Sequence, residues 1–323
     1  MNHKNRRSLI KAAAVISIAG ARSVSAQTAS SKGMKIIVPF APGGSGDITA
    51  RLVAQHITAT TSQPVVVENK PGANGIIGVE AAKASPPDGQ TLLLATTSTH
   101  SANVSLFRKL PYDPEKDFTL VGVFGSSGSY LLVRPDSPFA TLSDLVTYGR
   151  ANPGRLNYGH FNASSMVPGA LMKSMAGVDM TAVAYKQIGN AIADLISGQI
   201  QVIFADTTAA DSYVTSGQLR ALAVTRLERI RKYPALPTIH ESFPGFESTG
   251  FLGVAVHSGA PAASKQSLND LVNAAIMAEP MHSRLINFGF TPKPMSLAEC
   301  ATFASRERAK WAQYVALAKI EPQ

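Results

Sequence analysis

The chain has 323 residues, 45% apolar and 16% charged, which excludes a disordered polypeptide and leaves room for two domains of ordinary size. Its net charge of +9 would suggest nucleic acid, but Lys4, Arg6, Arg7, Lys11 and Arg22 fall within residues 1–26, which hold no acid, so the remainder carries +4. No Lys/Arg stripe interleaved with aromatics follows, which argues against a nucleic-acid surface.

Residues 1–26 read as an export signal: a basic start, a weakly apolar segment from Ala12 to Ala21, and a small-residue cleavage site at Ser25-Ala26. The apolar segment is too short for a membrane span, which needs about 20 residues. Asn5-Arg6-Arg7-Ser8-Leu9-Ile10-Lys11 resembles the twin-arginine signature, with ordinary secretion as the alternative route. Residues 27–33 read as a small-residue, polar lead-in that is expected to be mobile.

Met34 to Ile57 then gives a strand (Ile36, Ile37, Val38), a loop with Gly43, Gly44 and Gly46, and a helix with Ile48, Leu52, Val53 and Ile57 on one face. Glycines let the backbone fold around a bound group, and a helix start offers N–H donors with no partner inside the helix. Such a corner suits an anion. Pro64 to Glu68 is a β-branched strand, residues 69–75 a turn, Ile76 to Ala84 a helix, and Thr91 to Thr96 an apolar strand of the doubly covered, parallel kind. The β-α-β-α-β order is that of a doubly wound layer. Thr97-Ser98-Thr99-His100-Ser101 reads as a polar loop at a strand's carboxyl end, where ligands of open parallel sheets collect. Strands at Phe118 to Phe124 and Tyr130 to Arg134 precede Pro135-Asp136-Ser137-Pro138, taken as the crossing into a second domain.

That domain opens with a helix over Leu142 to Ala151, capped by Thr141 or Ser143. A strand at 156–158, a small polar loop from Gly159 to Ser165 and a helix from about Val167 repeat the plan of the first corner. Ala182 to Tyr185 is a strand, Ile188 to Ser197 a helix, Val202 to Ala205 a strand ending at Asp206, and Leu219 to Thr225 another strand. Phe251 to Val256 marks a return crossing. Helical patterns at 264–278, 281–288 and 297–318 close the chain, with Trp311, Tyr314 and Val315 spaced as a packing face. The single cysteine, Cys300, excludes an internal disulfide and a Cys-built metal site, and beside Ala301 and Phe303 it reads as a small buried helix residue.

The chemistry points to binding. Gly44-Ser45-Gly46 with Glu68 imitates a dinucleotide fingerprint, but Thr49 stands at the third glycine position and Pro39 and Pro42 break the approach. Glu68 is better read as tethering the turn after it. There is no Gly-x-Ser-x-Gly elbow, and the histidines lack ligand spacing, so no cofactor or metal is expected. Two matching corners, one per domain, could clamp an anion with backbone N–H groups and the hydroxyls of Ser45, Ser98, Ser164 and Ser165. A hydrogen bond to a charged group contributes roughly 1.5–3 kcal/mol, and micromolar affinity needs about 8 kcal/mol, so four to six such bonds suffice.

Several motifs in order, Pro39-Phe40-Ala41-Pro42-Gly43-Gly44 with Asp47, Val67 to Ala73, Pro87 to Leu93, Leu110 to Phe118, Leu219 to Thr225 and Pro234 to Thr238, resemble the Bug family, substrate-binding receptors of tripartite tricarboxylate transporters. The resemblance spans about Met34 to Ala318. It implies an α/β, two-lobed type II periplasmic binding protein fold, two doubly wound sheets joined by two crossover strands. Domain 1 is then 34–133 plus 251–323, and domain 2 is 134–250. It also implies a monomeric, non-enzymatic periplasmic receptor that closes on a small carboxylate and serves a membrane transporter or sensor. An exported enzyme on the same scaffold is the alternative.

Carried over residue by residue, the ligand-binding set is Phe40, Pro42, Gly43, Gly44, Ser45, Asp47, Ser98, Asn162, Ser164, Ser165, Tyr185 and Asp206. In that set Asp206 would meet an amino or hydroxyl substituent or a water. Relatives usually read Pro-Tyr-Lys-Gly where this chain has Ala184-Tyr185-Lys186-Gln187, a change near the far end of the ligand that bears on its identity.

Overall fold

A computed structural model describes residues 33–323; the segment expected to be an export signal and nearly all of the expected lead-in lie outside the described residues. In chain order the elements are β1 (Met34–Val38), α1 (Ser45–Thr61), β2 (Val65–Asn69), α2 (Ile76–Lys83), β3 (Thr91–Thr96), α3 (Asn103–Leu106), β4 (Phe118–Ser127) and β5 (Ser129–Val133). Then come α4 (Leu142–Ala151), β6 (Leu156–His160), α5 (Ala163–Ala176), β7 (Met180–Ala184), α6 (Ile188–Ser197), β8 (Val202–Asp206), α7 (Thr207–Thr215), β9 (Arg220–Val224) and α8 (Ile239–Ser242). The chain ends with β10 (Gly250–His257), α9 (Ala262–Met277), α10 (Met281–Asn287) and α11 (Leu297–Leu317). Among the described residues no helix is long and apolar enough to cross a membrane.

The strands form two five-stranded sheets of one topology, ordered β2-β1-β3-β10-β4 and β7-β6-β8-β5-β9. In the first, β1, β2 and β3 run parallel and β10 is antiparallel to β3 and β4. In the second, β6, β7 and β8 run parallel and β5 is antiparallel to β8 and β9. Each sheet's antiparallel strand is therefore the one arriving from the other lobe. Every residue of β3 is buried, as a parallel strand with helices on both faces requires.

One strand sits elsewhere than the sequence reading placed it. The segment assigned to the first domain just before Pro135, β5, hydrogen-bonds into the second sheet, with Ser129 opposite Asp206. Only Gly128 separates it from β4, so the chain changes lobes with no Pro-rich break to mark the point. The segment read as a polar loop after β3 is also different: Ser98 to Ala102 form a wide helical turn running into α3.

Local chemistry sets the helix ends. Thr141 and Asp144 make a reciprocal capping box at the start of α4, as do Thr238 with Glu241 at α8 and Ser296 with Glu299 at α11. α1 buries Leu52, Val53 and Ile57 against β1 and β3, and it stops where Ser62 turns left-handed at φ 58°. Cys300 and Trp311 are wholly buried, and burial pushes the Cys300 thiol up to about 11, so both pack as the sequence suggests. Glu68 pairs with Lys70 at 2.6 Å and tethers the turn that follows it.

Candidate functional site

The carboxyl ends of both parallel strand sets meet at the crossovers. Leu252 of β10 lies opposite Thr96 at the end of β3, and Ser129 of β5 lies opposite Asp206 at the end of β8. Between them is a cleft lined by both lobes. This is where ligands bind in open α/β sheets.

The first wall is the β1–α1 corner. Gly44 is the N-cap of α1 with no side-chain cap, and the amides of Ser45, Gly46 and Asp47 have no acceptor among the described residues. Three N–H donors and the positive end of a 17-residue helix dipole therefore stand at a cleft lined by Gly44, Ser45 and Gly46. The close approach depends on Gly46, where an added Cβ would fall 2.6 Å from Leu94.

The second wall is the β6–α5 corner. Here the Asn162 side chain accepts from the Ser165 amide at 2.9 Å, while the Ser165 hydroxyl accepts from the amides of Phe161 and Asn162 at 2.9 and 3.1 Å. The Ala163 amide donates across the cleft floor to Ser98 at 3.4 Å. What faces the cleft unspent is Ser164. α6 and α7 also begin at the cleft without side-chain caps, at Gln187 and Asp206.

Asp206 bridges the lobes, its carboxylate accepting from the Ser45 hydroxyl at 3.0 Å. Burial raises its pKa, and the Ser45 hydrogen bond only partly opposes this. Among the lining residues the only other charged side chain is Lys186, exposed at the rim. The rest of the surface is mostly apolar, with Phe40, Phe161, Ile188, Phe251, Leu252 and Phe290.

Of the residues named from sequence, Phe40, Gly44, Ser45, Ser98, Asn162, Ser164 and Asp206 line this cleft together. Five do not. Asp47 points into its own helix, accepting from Arg51 at 2.8 and 3.1 Å and from the Gly43 amide at 3.1 Å. Those bonds hold its pKa below the ordinary value against the opposing effect of burial. Gly43 is thereby turned toward Asp47, at φ 84°, and Pro42 is exposed beside it. Ser165 is spent on capping. Tyr185 donates to Asp194 at 2.8 Å and faces the neighbouring space under Phe161.

Thr99 and His100 turn inward from the rim, bonded to each other at 2.9 Å. Burial, with a smaller contribution from Arg308, lowers the His100 pKa to about 3, so its imidazole is neutral. No cluster of His, Cys, Asp and Glu suited to a metal occurs among the described residues.

Sequence reasoning missed Thr96, Ser127, Phe161, Gly250 to Leu252 and Phe290 as lining residues. Ser127 and Gly250 flank the two crossovers, so small or polar residues at those junctions were the available signal. Phe290 follows α10 and carried none.

Residues 49–319 match the family described as tripartite tricarboxylate transporter family receptor. The chain belongs to this family. It is 31% identical to protein BugT of Bordetella pertussis over 90% of this chain and 91% of that protein. A structure of an R. palustris protein with adipate is similar, with TM-score 0.87 and 31% identity over 90% of this chain and 98% of that one. MatC from Rhodopseudomonas palustris with bound malate gives TM-score 0.82 and 30% identity over 88% and 98% of the two chains. The structure of periplasmic binding protein BugD gives TM-score 0.85 at 28% identity, over 90% and 99%. The two-lobed fold that the resemblance implied is thus that of this receptor family.

Proposed function

We propose that this receptor is exported, captures a small organic carboxylate in the cleft between its lobes, and delivers it to the membrane components of a tripartite tricarboxylate-type transporter without transforming it. The lobes are the two sheets with their helices, exchanging chain at Ser127–Ser129 and Ser248–Gly250. The observation that carries the reading is the set of three unpartnered amides of Ser45, Gly46 and Asp47 at the start of α1, standing at a cleft lined by both lobes. Such donors suit a carboxylate, and Ser98 and Ser164 add hydroxyls beside them. The adipate and malate in two related structures support the ligand class.

Asp206 faces the same space and would repel a carboxylate placed beside it. In this reading it receives a hydroxyl, amino group or water on the ligand, taking over the hydrogen bond now donated by Ser45.

The Ser45–Asp206 contact is also the geometry a hydrolytic reading would need, so the experiment must look for product. Thermal-shift screening of the purified protein against mono-, di- and tricarboxylates, followed by mass spectrometry of the mixture, tests both. Saturable stabilisation with the carboxylate recovered intact supports the receptor. Product formation, or no stabilisation by any carboxylate, overturns it.

A further inference from the structure

α11 belongs to both lobes. Its first half places Cys300, Phe303 and Ala304 in a core with Tyr112 and Phe251 of the first lobe. Its second half places Trp311, Tyr314, Val315 and Ala318 in a core with Leu131, Leu171 and Phe204 of the second. At the junction it grips one residue of the return crossover, Thr249. The Trp311 indole Nε1 donates to the Thr249 carbonyl at 3.1 Å, and the Lys310 ammonium donates to the Thr249 hydroxyl at 3.0 Å. Lys310 is itself fixed by Glu307, which is 6% exposed, at 2.6 Å. The Thr249 hydroxyl passes a further hydrogen bond to Glu247 at 2.9 Å.

The residue after Thr249 is Gly250, and Gly250, Phe251 and Leu252 form part of the cleft wall. From the other side Thr97 takes the Phe251 amide at 2.6 Å. The fit leaves no slack, since a Cβ on Gly250 would lie 2.6 Å from the Thr97 hydroxyl and 3.3 Å from that of Ser164. A shift of the crossover at Thr249 is thus passed directly to the wall.

We infer that Lys310 and Trp311 are positioning residues of the binding cleft, holding the return crossover at Thr249 so that Gly250 to Leu252 stand in register with the first-lobe rim. The inference rests on the receptor reading for its effect on affinity but not for its effect on the wall. Neither residue lines the cleft, and their hydrogen bonds to Thr249 are the direct link from them to the wall.

The test compares full-length Trp311→Phe, Lys310→Met and, as a control, Leu219→Ala, which loosens a second-lobe core that contains neither Trp311 nor any residue of the Gly250 to Leu252 wall. Backbone amide exchange is read at Gly250 to Leu252 in ligand-free protein, and adipate, malate and benzoate serve as binding probes. Trp311→Phe and Lys310→Met should each speed exchange at those amides at least tenfold. They should weaken whichever probe binds by fivefold or more, chiefly through faster dissociation. Leu219→Ala should lower the melting temperature with exchange at those amides and affinity within twofold of wild type. Unchanged exchange at Gly250 to Leu252, or affinity losses no greater than in Leu219→Ala, would overturn the inference. If none of the three probes binds wild type, the receptor reading for these ligands fails, and the exchange measurement alone still decides whether Lys310 and Trp311 hold the wall.

Discussion

At the β1–α1 corner the amides of Ser45, Gly46 and Asp47 find no acceptor among the described residues, whereas at the β6–α5 corner Asn162 and Ser165 consume each other's backbone donors in a reciprocal cap. Both corners are strand, short polar loop and helix start, and both face one cleft. Their chemistry differs because the first has glycine where the second has a capping side chain. Gly44 cannot cap, so the helix start stays open to a ligand; Asn162 caps, so its helix is stabilised from within. In the proposed function one lobe holds the carboxylate while the other supplies a pre-formed surface to close on it.

This contrast predicts that substitutions at the two corners separate affinity from stability. The largest effect is expected from Gly44→Leu. Gly44 has φ −79° and ψ 169°, allowed to any residue, and its Cβ would meet only the Ala41 carbonyl at 3.8 Å. The fold should tolerate the change while the side chain fills the cleft. Carboxylate affinity by calorimetry should fall at least a hundredfold, about 2.7 kcal/mol or more, with the melting temperature close to wild type. Unchanged affinity would remove the open corner from the binding site.

Asn162→Ala should do the reverse. Loss of a capping side chain costs about 1 kcal/mol of stability, visible as a lower denaturant midpoint. Affinity should change far less than in Gly44→Leu, because the donors exposed by the lost cap are those that Asn162 and Ser165 had satisfied. A large affinity loss at full stability would mean that Asn162 contacts the ligand directly, and the asymmetry between the corners would fail. A smaller effect still is expected from Ser165→Ala, whose hydroxyl serves the same cap.

The sequence reading saw the two corners as equivalent jaws, and the reason is physical. Residue types at a strand-to-helix turn reveal that donors exist there, and the periodicity of Ile48, Leu52, Val53 and Ile57 reveals the helix that presents them. Whether a hydroxyl spends itself locally is decided by rotamer and backbone geometry over three residues, and Ser45 and Ser165 look alike on that scale. Asp47 shows the same limit: its partner Arg51 sits one turn away in the same helix, a pairing the sequence contains but the resemblance masked. The lobe plan was legible because strand and helix periods are local. The crossing at Gly128 was not, because a single glycine between two apolar strands looks like a continuing hairpin until the sheets are assigned. Phe290 and Gly250 reach the cleft only through tertiary packing.

The last prediction concerns the hydrogen bond that ties the open corner to the other lobe. Asp206 is half-buried at the end of β8, and desolvation of its carboxylate raises its pKa above its ordinary value of 3.8, the Ser45 hydroxyl offsetting only part of the cost. For an acid whose folded pKa is raised, the stabilising contribution is fully present below the unfolded pKa and is lost as pH rises through the folded value. Wild type should therefore be most favoured at this site near pH 3 and lose that advantage toward neutrality. Asp206→Asn keeps the shape and an acceptor for Ser45 but cannot ionise. Thermal melts of the ligand-free proteins should show the variant gaining on wild type as pH rises from about 4 to 7, with the difference flat below the ordinary carboxylate range. A difference independent of pH would mean that the carboxylate is well solvated and that the Ser45 contact does not close the lobes over it. A variant that loses ground as pH rises would mean that the ionised Asp206 is held by stronger partners than Ser45, reversing the sign of its contribution to the closed cleft.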